Sequence, residues 1–149
     1  MGNWKAQIRD ALGDFVCVAR LARDQVREND FEVEYLRSSH KRPKRLPICR
    51  MAVYAFRYRR EWLKIGIAGP NSGARYTTHH YNPRAAKSTL AASLLGDRRM
   101  RVGGERGVGK WIENNTHRVN ILLGSEHGML LLKLLEAFLH VRLKPRYEE

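Results

Sequence analysis

Cysteine is nearly absent from this chain of 149 residues: Cys17 and Cys49 are the only two, and they show no metal-ligand spacing. Two isolated thiols exclude a disulfide scaffold and a thiolate zinc site, and they point to a reduced, intracellular compartment. Long apolar runs are missing as well. No stretch approaches the roughly 20 residues that cross a bilayer, and the first residues carry no signal-like apolar core, so the expectation is a cytoplasmic protein without a membrane partner. Internal repeats and low-complexity tracts are lacking too. Negative charge is scarce: 15 Asp and Glu face 28 Lys and Arg, a formal net charge of +13. That imbalance suits a polyphosphate partner, with DNA the first choice.

A chain of this length forms one domain with room for a small appendage, and buries roughly two-thirds of its unfolded surface. Trp4, Ile8, Leu12, Phe15, Ala19, Ala22 and Val26 recur at helical spacing behind Asn3, which suits an N-cap. This predicts one long amphipathic helix, with its stripe covered by the domain's own sheet or by a second copy of the chain. Residues 31–36 (FEVEYL) can add a short strand. Residues 40–45 (HKRPKR) combine proline with dense like charge, as a solvated linker does, and would still attract a DNA backbone. The expected division is therefore 1–47, helix and basic linker, and 48–149, the main domain.

Residues 51–58 (MAVYAFRY) alternate in character, Arg59 and Arg60 turn the chain, and residues 61–68 (EWLKIGIA) alternate again, which predicts an antiparallel hairpin. Residues 69–73 break the pattern, and a helix opens over 74–80, placing Arg75 and His79 four residues apart on one face. Residues 88–95 predict a short helix, 108–115 a helical turn, 116–123 a third strand and 126–143 the last helix. The Gly- and Arg-rich residues 96–109 predict a loop. It is not a nucleotide-binding loop, because no strand precedes it and no Lys-Ser or Lys-Thr pair closes it. The fold class is α+β: a small, mainly antiparallel three-stranded sheet flanked by helices, with an N-terminal helical extension.

Five side chains stand out as a set: Tyr54, Lys64, Arg75, His79 and Glu136. Singly, each reads more simply as a strand tyrosine, a solvated lysine or a surface helix residue, and His80 reads as a surface group. Glu136 is the most telling, since it interrupts the apolar run from Met129 to Leu139, where a carboxylate tends to be paired, metal-bound or at the helix edge. Jointly they supply what phosphodiester hydrolysis requires: a deprotonated water, charge stabilisation at the phosphoryl oxygens and help for the leaving alkoxide. Arg75 would grip a non-bridging oxygen as a planar fork. Glu136 would hold Mg²⁺ or Mn²⁺, because a lone carboxylate suits a hard cation. Tyr54 is a candidate general base, provided that Lys64 and Arg75 lower its pKa from ~10 by roughly three units, about 4 kcal/mol. Alternatively Tyr54 keeps its proton and orients a water activated by the metal or by His79. Both routes stay open.

In order and spacing, the segment from Ala52 to Glu136 resembles a GIY-YIG nuclease domain. Ala52, Val53 and Tyr54 match the first triplet, and Lys64, Ile65 and Gly66 match the second, with lysine in place of its usual tyrosine, as in some restriction-enzyme and phage branches. Arg75 matches the arginine of the first helix, His79 the His or Tyr one turn on, and Glu136 the metal-binding glutamate of a later helix. Pro145 is followed by Arg146 where the family commonly has asparagine. The resemblance implies a Mg²⁺-dependent DNA endonuclease, and a homodimer is attractive because one site per chain cuts one strand. A non-cleaving nucleic-acid-binding module and an RNA-directed nuclease are the alternatives. Lys41, Arg42, Lys44, Arg45, Arg98, Arg99 and Arg101 are the expected nucleic-acid contacts, while Tyr58, Trp62 and Trp111 are expected to pack rather than stack on bases.

Overall fold

The computed structural model describes residues 3–86 and 88–148. Helix α1 spans Trp4–Leu21, and the Asn3 side chain accepts from the Ala6 N–H at 3.2 Å, as an N-cap does. The helix stops earlier than the periodicity suggests. Arg23 turns left-handed at φ 65°, and Val26 is buried beyond the helix end. Four strands follow: β1 Phe31–Leu36, β2 Arg50–Tyr58, β3 Glu61–Ala68 and β4 His117–Gly124. Between β3 and β4 lie three short helices, α2 Gly73–Thr77, α3 Leu90–Gly96 and α4 Val108–Asn115; α5, Met129–Leu143, comes after β4.

The protein is α+β, but its sheet has four strands rather than three, in the order β1-β4-β2-β3 and antiparallel throughout. The fourth is β1, which pairs along its whole length with β4, from Phe31 opposite Leu123 to Leu36 opposite Arg118. Its alternation of Phe31, Val33 and Tyr35 with Glu32 and Glu34 gives it one face for the core and one polar face, the pattern of an edge strand.

Pleating sends successive residues of β2 to opposite faces, and each face is covered. Met51, Val53 and Ala55 meet Ile8, Ala11, Leu12, Phe15 and Val16 of α1 and Leu132, Leu135 and Leu139 of α5. Ala52, Tyr54 and Phe56 meet Tyr76, Tyr81, Leu90, Leu94, Val108 and Ile112 on the other side. The stripe of α1 is thus covered by the protein's own sheet, and α1 and β1, on the N-terminal side of the expected boundary at 47, share one core with the residues beyond it. Helix α5 ends where Lys144 takes a left-handed cap, φ 49°, just before Pro145. The chain then lies beside β3, with the N–H groups of Arg146 and Tyr147 donating at 2.9 Å to the carbonyls of Trp62 and Leu63. Among the described residues no helix is long and apolar enough to cross a membrane.

Candidate active site

Tyr54 sits opposite Gly66 on β3 and Asn120 on β4. Its ring lies directly over Gly66: a Cβ there would stand 2.6 Å from Cε2, 2.7 Å from Cζ and 2.8 Å from the hydroxyl oxygen. The missing side chain lets the ring cross β3 toward the edge of the sheet. There the hydroxyl donates to the Arg75 carbonyl at 3.1 Å. The side chain is completely buried. Burial pushes its pKa well above the usual phenol range, against the opposing fields of Arg118 and Arg75, while the Glu136 carboxylate raises it further. The expected lowering by Lys64 and Arg75 is therefore reversed: desolvation wins, and Tyr54 is a neutral phenol at neutral pH.

Lys64, one pleat away from Gly66 on the same face, is only 4% exposed. With Ile65, Glu136, His140 and Tyr147 it lines a cavity of about 200 Å³ at the β3 edge. Glu136 and His140 come from α5, one turn apart. Tyr147 is carried in by the C-terminal segment, its hydroxyl donating to Asp97 at 2.8 Å.

Arg75 and His79 line a second cavity, of about 360 Å³, with Asn71, Ser72, Ala74, His80, Ala86, Ser88 and Thr89. They do not share one helix. Helix α2 ends at Thr77, and His79 begins a separate single turn of 3₁₀ helix, His79–Tyr81, because Tyr76, His80 and Tyr81 all have to bury against the sheet. His80, expected at the surface, is 7% exposed, with its ring 5.3 Å from that of Tyr54. Its Nδ1 accepts from the Leu90 N–H at 3.0 Å. Burial, then the charges of Lys64 and Arg118, push its pKa down to about 3, so it is a neutral ring. A broad groove shares Ser88 with this cavity and Lys64 and Tyr147 with the smaller one, and brings Arg98 and Arg99 alongside.

Arg118 is the residue that the sequence pattern did not single out. It is 1% exposed, and its guanidinium lies 4.7 Å from the Tyr54 ring, 5.0 Å from Tyr76 and 5.2 Å from Phe56. Its nitrogens donate to Asn120 Oδ1 at 2.7 Å, the Tyr76 carbonyl at 2.7 Å and the Tyr81 hydroxyl at 3.2 Å. It places a fixed positive charge beneath Tyr54. The alternation of β4 puts Arg118 and Asn120 on the face of Tyr54, and that was the readable signal.

The basic run behaves unevenly. His40 is buried, with Nδ1 2.9 Å from the Thr116 carbonyl and Nε2 2.7 Å from the Tyr81 hydroxyl. Arg42 stacks 4.6 Å over the Tyr81 ring and pairs with Glu113, so its charge serves the fold. His40 and Arg42 of the expected linker are thus docked, while Lys41, Lys44 and Arg45 are exposed, as are Arg98, Arg99 and Arg101. Trp62 is buried on the α1 side, and Trp111 packs with Tyr58 at 5.0 Å between ring centroids, as expected of packing residues.

Among the described residues no three His, Cys, Asp or Glu side chains gather to hold a metal ion unaided. Among the described residues Glu136 is the one carboxylate lining the small cavity, and a single carboxylate completed by waters and substrate oxygens matches the habits of Mg²⁺ and Mn²⁺. No protein-family model matches the chain, and no significant match exists among curated proteins or solved structures.

Proposed function

We propose that this protein is a GIY-YIG-like endonuclease that hydrolyses phosphodiester bonds of DNA with the help of Mg²⁺ or Mn²⁺. The observation that carries this reading is the position of the Tyr54 hydroxyl: it bonds the Arg75 backbone, and the charges of both Arg75 and Glu136 act on it. Tyr54 of β2 is thus bonded to α2 and feels the charge of an α5 carboxylate, while Arg75 and Glu136 line neighbouring cavities, and this supports the reading in the chain order that the resemblance implies.

In this reading Arg75, exposed at the mouth of its cavity, holds a non-bridging phosphoryl oxygen. The neutral Tyr54, buried and bonded to the Arg75 carbonyl, holds the turn that presents Arg75 to the phosphate as a water attacks. His79, half-exposed on the same cavity wall, takes the water's proton as the oxygen bonds to phosphorus. The bond from phosphorus to the departing sugar oxygen breaks, and that oxygen leaves with a proton from solvent. Lys64 adds a positive charge beside the developing phosphorane. Glu136 would hold the divalent ion, which supplies further charge stabilisation at the phosphate when bound. Lys41, Lys44, Arg45, Arg98, Arg99 and Arg101 supply the exposed charge that attracts the strand.

The test is cleavage of supercoiled plasmid, single-stranded DNA and RNA, each with Mg²⁺ or a chelator. Arg75→Ala and Glu136→Ala are expected to lower kcat by about 10²–10³ while retaining salt-sensitive DNA binding. Undiminished cutting by either variant removes the assignment, and preferential cutting of RNA would reassign the substrate.

A further inference from the structure

His140 stands one helical turn after Glu136, so both side chains project from the same face of α5 into the same small cavity. Its Nδ1 lies 2.9 Å from the Glu136 carbonyl oxygen. A carbonyl only accepts, so Nδ1 is the donor, and in the neutral ring the proton resides there. The lone pair is then on Nε2. Backbone capture of Nδ1–H is the arrangement by which proteins fix the tautomer and direction of a metal-ligating imidazole.

We propose that His140 Nε2 is a second protein ligand beside Glu136 for the divalent ion. This rests on the nuclease reading for the role of the ion, while the site itself is a property of α5. Lys64 lines the facing wall, and its ammonium opposes any cation entering the cavity before a phosphate arrives. A neutral nitrogen donor next to the carboxylate offsets part of that repulsion. The pair also sets a preference. An imidazole with a carboxylate favours Mn²⁺ and Co²⁺ over Mg²⁺, which keeps its waters and prefers oxygen. The signal in the sequence is the pair Glu136 and His140 in EAFLH, at the spacing that stacks two ligands on one helix face.

Titration of the full chain with Mn²⁺ in the absence of DNA, followed by the electron paramagnetic resonance of the free ion, tests this directly. The wild-type protein is expected to bind Mn²⁺, His140→Asn to bind it at least about tenfold more weakly, and Glu136→Gln to lose it. Mg²⁺ competition should change by a smaller factor in His140→Asn than Mn²⁺ affinity does. A second variant, His140→Leu, controls for the lost bond to the helix carbonyl, and circular dichroism melting of both variants reports whether α5 survives. Equal Mn²⁺ affinity in the wild type and in folded His140 variants overturns the proposal, as does an absence of Mn²⁺ binding by the wild type. Cleavage that depends on Glu136 but not on His140 would leave the nuclease reading standing and this inference refuted. His140-dependent Mn²⁺ binding without cleavage would do the opposite.

Discussion

Gly66 and Tyr54 face each other across β2 and β3, and the ring of Tyr54 occupies the space that any side chain at 66 would need, since a Cβ there would come within 2.6–2.8 Å of three of its atoms. Gly66 is thus a packing requirement of Tyr54. Gly66→Ala should push the ring off the strand and break its bond to the Arg75 carbonyl. Overpacking of this kind costs about 1–3 kcal/mol, and a displacement of roughly 1 Å at a reacting centre can cost about a hundredfold in rate. Urea denaturation and plasmid cleavage check both; a variant with wild-type stability and rate would show that the ring is not held there.

Arg118→Met tests the buried cation. Methionine fills much of the volume but leaves the Tyr76 carbonyl and Asn120 Oδ1 without their donor, while the Tyr81 hydroxyl keeps its bond to His40. Each buried orphan costs about 1–3 kcal/mol, so the expected loss is on the order of 3 kcal/mol or more. Arg118→Lys should recover only part of it, because one ammonium cannot serve three acceptors with the geometry of a fork. Chemical denaturation of the two variants gives the answer, and a lysine variant as stable as the wild type would contradict it.

The hairpin, the third predicted strand and the last helix were legible because alternation and helical periodicity report directly which face is buried. Alternation of β4 places Arg118 on the Tyr54 face, but the burial of Arg118 and of His80 was not legible. Each is a polar group satisfied by partners distant in sequence, the Tyr76 carbonyl and Tyr81 for one, the Leu90 N–H for the other, and no local pattern encodes them. The direction of the Tyr54 shift was missed for the same reason. That direction follows from burial against Tyr76 and His80, which no local pattern encodes. Strand β1 was only half legible, since an edge strand of six residues carries a weak signal until its partner β4 is known.

Acid should destabilise the protein through His80. Its folded pKa of about 3 lies below the ordinary value of 6.5, so the unfolded chain binds the proton first as pH falls. The stability that the neutral ring contributes is complete above about pH 6.5 and is lost progressively toward pH 3, at up to roughly 1.4 kcal/mol per pH unit. Burial lowers the pKa values of His40 and His117 too, which adds to the same window. His80→Asn keeps an acceptor for the Leu90 N–H but removes the titration. Its urea midpoint should fall less steeply between pH 6.5 and pH 4 than that of the wild type, and an unchanged slope would show that His80 is not the group responsible.

Alkali acts with the opposite sign on the buried phenols. Burial raises the pKa values of Tyr54, Tyr76 and Tyr147, so the folded protein retains protons that the unfolded chain releases near pH ~10. Their contribution is intact below about pH 10 and fades above it. A tyrosinate absorbance titration should show these rings ionising only as the protein unfolds, whereas in Tyr54→Phe the amplitude of that late phase should drop by one ring. Reversible ionisation of Tyr54 in the folded protein near neutral pH would restore it as a base.

Salt dependence separates the exposed members of the basic run from the docked Arg42. Lys41, Lys44 and Arg45 are exposed, so each is available to neutralise a phosphate. Replacing them with glutamine should flatten the slope of log affinity against log salt by about 0.9 for each duplex phosphate that is no longer neutralised. Arg42 differs, because its guanidinium is already stacked on Tyr81 and paired with Glu113. Arg42→Gln should leave the salt slope nearly unchanged and lower stability by about 1–2 kcal/mol, since it removes a partly buried stack and ion pair. Fluorescence anisotropy of a labelled duplex over a range of salt concentrations measures the slopes. A slope that responds to Arg42 but not to Lys41, Lys44 and Arg45 would mean that the docked arginine leaves Glu113 when DNA binds.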